Sequence, residues 1–105
     1  MSKTIKSQGG ITVRIIEAIN GFRAKHGRWP SKIQAEEATI AHLATVSFTP
    51  LGFFLLQSKL EVVVGEQGRI LALGDGDEVF DYGERGWQES DGYNHDAMQW
   101  LGLDD

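Results

Sequence analysis

Three histidines, a run of acids and a set of aromatic rings are the residues of this 105-residue chain whose chemistry could make a site. His26, His42 and His95 include no pair at the i, i+4 spacing that turns two imidazoles toward one zinc ion. There is no cysteine, hence no thiolate nucleophile, disulfide framework or Cys-based zinc site. The acidic run from Asp75 invites a test against a calcium loop. Asp75 and Asp77 fill positions 1 and 3, but position 5 is Val79, position 6 is Phe80 where glycine is needed, and position 12 is Gly86 where glutamate is needed. The match stops after two ligands, and Asp-Gly is ordinary hairpin chemistry. Ser47, Ser58 and Ser90 lack the glycine-flanked elbow of a nucleophilic serine, and the thirteen glycines form no phosphate cradle. His95, beside Asp96 in a glycine-broken loop, is the best general-base candidate, but no nucleophile accompanies it. No catalytic set is assigned, and no metal or cofactor is expected.

The rings say more. Phe80, Tyr82, Trp87, Tyr93 and Trp100 are interleaved with Asp81, Glu84, Glu89, Asp91 and Asp96. Rings with a charged rim are the composition of a protein interface. Tyr82, Trp87 and Tyr93, rimmed by Glu84, Glu89 and Asp91, are therefore the expected binding surface, with Phe80 buried and Trp100 packed back on the helices. The competing reading is that the rings simply close the core.

Charge is distributed unevenly. Residues 1–74 hold nine Lys/Arg against five Asp/Glu, a net +4; residues 75–105 hold ten acids and one arginine, a net −9. An acidic end repels nucleic acid, selects a basic partner and speeds its approach. It could also be balanced internally by the basic flank of the first helix, where Arg14, Gly21, Lys25 and Arg28 align. Arg14, Lys25 and Arg28 on that flank could contact nucleic acid, but so few cations against an overall charge of −5 make direct binding an unfavoured reading.

The elements that must position these residues follow from periodicity. Ile11, Ile15, Ile19, Phe22 and His26 recur at helical spacing, so residues 11–26 read as a helix stopped by Gly27. Pro30 to Ala35 reads as an extended arm through Ile33, at most an added edge strand, followed by a helix from about Ala35 to Thr45 with His42 on its exposed side. Thr49 as N-cap and Pro50 at N1 start a third helix, with Leu51, Phe54 and Leu55 as its apolar stripe. Three strands near 60–64, 69–74 and 78–82, joined by Gly-ended and Asp-Gly turns, predict an antiparallel meander. The fold class expected is α+β, with N-terminal helices packed on a three-stranded meander in a single compact domain over 1–105, the first ten residues frayed. Its core would include Ile15, Ile19, Phe22, Ile40, Leu43, Phe54, Leu55, Val62, Val64, Leu71 and Leu73. No apolar run is long enough to span a bilayer, and a cytoplasmic protein is expected. A strand at 78–82 on a sheet edge would favour a two-fold homodimer.

The stretches FRAKHGRWPSKI (22–33), TPLGFFLLQSKLEVV (49–63) and VFDYGERGW (79–87) resemble short bacterial proteins carried by mobile DNA, in integron cassettes and on plasmids. The resemblance implies a small, single-domain accessory protein and no particular activity. Taken together, the expected function is non-enzymatic binding of a protein partner, basic or itself nucleic-acid-binding. The alternative is a small-ligand binder or small enzyme, with Trp29, Trp87 and His95 lining an apolar pocket.

Overall fold

The computed structural model describes residues 3–7, 10–82 and 95–103, with His95 described by its backbone alone. The elements are α1 (Ile11–His26), β1 (Lys32–Ala35), α2 (Glu37–His42), a π-helical turn (Leu43–Ser47), α3 (Pro50–Lys59), β2 (Glu61–Val64), β3 (Ile70–Leu73), β4 (Val79–Asp81) and α4 (His95–Leu101). The α+β class is as expected. The meander is not. The sheet has four strands in the order β2-β1-β3-β4, with β1 parallel to β2 and antiparallel to β3. The segment through Ile33, expected as an edge, is an inner strand bonded on both sides. Turn chemistry could not reveal this. The five residues 65–69 reach about 16 Å when extended, enough to pass one intervening strand at spacings of about 4.8 Å, so a Gly-ended turn reads alike with or without a strand between its arms.

The inner position of β1 sets which face each strand buries. Ile33 pairs with Val62 on one side and Ala72 on the other, and Ala72 with Phe80. Ile33, Ala35, Ile70, Ala72 and Phe80 are buried. Leu71 and Leu73, expected in the core, lie on the opposite face of β3 and are half-buried. A strand that buries even rather than odd positions exchanges its whole side-chain set, because the period is two. Val62 is half-buried on the edge strand, and Val64, also expected inside, is 61% exposed.

Helix α1 covers β3 and β4. It ends at Gly27 in the left-handed region (φ 77°), whose N–H bonds the Arg23 carbonyl. Ile15, Ile16, Ile19 and Phe22 are fully buried beneath it. Gly21, expected off the apolar face, is buried instead. A side chain there would overlap the Phe80 ring, so the bare backbone is what lets that ring lie against the helix.

The chain between β1 and β2 is helical, as a crossover between parallel strands requires. The helix expected over 35–45 is α2 followed by the π-helical turn, closed by the Phe48 N–H bonding the Leu43 carbonyl. Thr49 caps α3 by accepting from the Gly52 N–H at 3.1 Å, with Pro50 at the first position, as expected. The residues before α1, expected to fray, are held at 3–7. Ile5 bridges Phe48 and is buried; the Thr49 N–H donates to the Thr4 carbonyl, the Thr49 hydroxyl to the Lys3 carbonyl and the Thr4 hydroxyl to the Leu103 carbonyl. This strap crosses α3 at Gly52, where any side chain would strike the Thr4 carbonyl.

Candidate interaction surface

Helix α3 (PLGFFLLQSK) is apolar almost all round, so its hydropathy alone does not select an inner face. The strap selects it. Gly52 and Leu56 are buried under the strap and core, while Leu51 and Phe54, one helical turn apart, point outward. The stripe expected in the core is thus reversed: Phe54 is 65% and Leu51 49% exposed, and Leu55 is half-buried. Val46, on the preceding π-helical turn, is a third exposed apolar side chain. The exposed positions next to Phe54 along the helix are Gln57 and Ser58, so this surface is apolar and uncharged. A largely exposed phenylalanine on a rigid helix is the kind of anchor that a partner's pocket buries.

At the C-terminal end of α3 stands a ladder of rings and cations. Trp29 and Trp100 stack with centroids 4.7 Å apart and planes 7° from parallel. The Arg23 guanidinium sits 4.3 Å from the Trp29 centroid, and the Lys59 ammonium 6.0 Å from the Trp100 centroid. Each contact is favourable because a ring face carries negative charge density. Trp100 packs back on the helices as expected. Trp29, expected to line a pocket, has its ring taken up between Arg23 and Trp100.

Of the other expected site residues, Tyr82 is half-buried on the core side of β4, beyond Phe80. Burial first, then the neighbouring Glu17 carboxylate, which it also meets as a hydrogen-bond partner, raise the Tyr82 hydroxyl above its ordinary range; Arg14 opposes the shift. Glu17 itself is buried in α1. Trp87, Tyr93, Glu84, Glu89 and Asp91 lie outside the described residues, as does the His95 side chain.

The basic flank of α1 is exposed, and two of its cations reach β4 and the turn before it. Lys25 donates to the Val79 carbonyl at 3.2 Å, His26 Nε2 lies 3.1 Å from the same oxygen, and Arg28 pairs with Glu78. Arg14 lies near Tyr82, and of the three cations Arg28 is the one paired with an acid of the acidic end. Arg69 is engaged similarly, at 2.5 Å from Asp81 and 3.3 Å from Glu66; the Asp81 hydrogen bond leads in raising its pKa. A shallow recess on the open sheet face, lined by Gln34, Glu66, Arg69 and Leu71, therefore presents no free cation to an anion.

One Ser–His pair was not anticipated. His42, expected on the exposed side of α2, is half-buried, and its Nδ1 lies 3.2 Å from Ser47 Oγ. Its i, i+5 spacing spans the π-helical turn, a geometry that ordinary helix periodicity does not suggest. Ser47 is fully buried and its carbonyl accepts the Lys6 and Ser7 amides, so no substrate reaches the hydroxyl, and the pair is a structural tie. Among the described residues no three His, Asp or Glu side chains converge as metal ligands, and no helix is long and apolar enough to cross a membrane. Comparison with protein families, with curated proteins and with solved structures finds no match to the chain.

Proposed function

We propose that the chain is a small non-enzymatic binding protein that engages a protein partner, with the outer face of α3 as its apolar anchor and the acidic, aromatic stretch 77–100 as its steering surface. The observation that carries this reading is the outward stripe of Leu51 and Phe54 on a helix whose other side is locked by the strap. Exposed apolar side chains in one turn of a rigid helix favour a helix-face contact. The acids of 75–105 favour a basic partner, including one that itself binds nucleic acid. An accessory role of this kind in the cytoplasm agrees with the resemblance to mobile-DNA proteins. The alternative, a small-ligand binder, would use Trp29 with its ring already stacked on Trp100.

The test is affinity capture with three baits: the wild-type chain, Leu51→Ser with Phe54→Ser, and Trp87→Ala with Tyr93→Ala. A partner held by the wild type should be lost from the α3 bait, and its association with the wild type should slow as salt rises. If all three baits retain the same proteins equally, neither surface is the binding site.

A further inference from the structure

We propose that the outer edge of β2 is the seam of a two-fold dimer in which a second copy of this chain extends the sheet. This goes beyond the hetero-partner reading above and uses a different surface. The strand order leaves two edges, β2 and β4. They are treated differently. At β4 the Val79 carbonyl is taken by Lys25 and His26 of the same chain, which closes that edge to a neighbouring strand. The expected dimer through 78–82 therefore moves to the other side of the sheet.

At β2 the Glu61 N–H bonds the Ser31 carbonyl and the Gly65 N–H bonds the Ala35 carbonyl. Odd-numbered residues thus face β1, and Val62 and Val64 direct their N–H and C=O groups outward. Among the described residues nothing bonds those groups. The strand, Glu-Val-Val-Val, is short and opens with the charged Glu61, but it has no proline, bulge or lysine within it, and its three valines carry no charge. Its last residue, Val64, is among the most exposed apolar side chains of the described residues.

The edge also fits itself. In an antiparallel pairing with the two-fold axis at Val63, Val62 meets Val64 of the partner subunit and exchanges both backbone hydrogen bonds with it. Glu61 then falls opposite Gly65 of the partner subunit, so the two glutamates are not opposed. Helices α2 and α3, which pack on β2, are the ones that this pairing brings toward their counterparts.

Sedimentation of the full chain at micromolar concentrations should give twice 11.6 kDa. Val64→Lys, which adds a charge at the seam, and Val64→Pro, which removes an outward N–H that the subunit does not use, should each weaken self-association about tenfold or more. Val79→Lys on β4 should leave it unchanged. Hydrogen exchange gives an independent reading. The Val62 and Val64 amides should be slow in the wild-type dimer and fast in Val64→Lys, while the β1 and β3 amides stay slow in both. A monomeric wild type overturns the proposal, even one that captures a foreign strand. So does a dimer whose Val62 and Val64 amides exchange fast, or one that persists in both Val64 variants, which would place the seam on the open sheet face or the 77–100 rings.

Discussion

A methyl group at Gly21 would press into the Phe80 ring, and one at Gly52 into the Thr4 carbonyl. In an ordinary helix interior the change to alanine gains about 1 kcal/mol. Here the added carbon has no room, and overpacking a buried site costs about 1–3 kcal/mol. Gly21→Ala should therefore be neutral to moderately destabilising by urea denaturation. Gly52→Ala should cost more, because its obstacle is backbone, and it should free the amides of residues 3–7 to exchange. A stabilised Gly52→Ala would mean that the strap does not hold α3. Tyr82 gives a second residue-scale expectation. Its folded pKa is raised above the unfolded value of about 10, so the folded state holds the phenolic proton more tightly. That contribution is complete below pH about 10 and lost as pH rises through the folded value. Denaturation midpoints should fall at alkaline pH in the wild type and fall less in Tyr82→Phe; parallel curves would show that the burial beside Glu17 is not felt.

At the scale of elements, α3 separates stability from recognition. Leu56→Ala, on the buried side, should cost about 2–5 kcal/mol, whereas Leu51→Ser and Phe54→Ser should each shift stability by only about 0.5 kcal/mol. Thermal or urea unfolding checks both; a large loss at Phe54 would make that ring part of the core. The same helix shows where sequence reasoning reaches and where it stops. Its start was legible because Thr49 and Pro50 act locally. Its orientation was not, because the face is chosen by a carbonyl 48 residues away, at Thr4. Helix α1 was legible from its spacing of isoleucines, while the role of Gly21 depended on where Phe80 arrives. The π-helical turn brings His42 to Ser47 at a spacing that 3.6-residue periodicity hides. The aromatic identity of Trp29 flagged a site, yet nothing local revealed that Trp100 would occupy its face.

On the scale of the whole molecule, the charge asymmetry is partly settled inside the fold. Arg28 with Glu78, and Arg69 with Asp81, join the basic portion of the chain to the start of the acidic one. The strand order has a consequence for how the protein is made. Strand β1 is synthesised before both of its neighbours, and β3 is completed 38 residues after β1 ends. At about 5–20 residues per second, the emerging chain carries an inner strand with at least one edge unpaired for roughly 2–8 seconds. Lys32 and Gln34 keep its second face polar over that interval. Replacing both with valine should leave the melting temperature of the purified protein nearly unchanged, yet lower the soluble yield from translation at high expression by favouring strand association among nascent chains. Equal soluble yields from the two sequences would show that α1, already synthesised, shields β1 while it waits. The polar residues of this strand thus belong to the history of the chain more than to its finished fold.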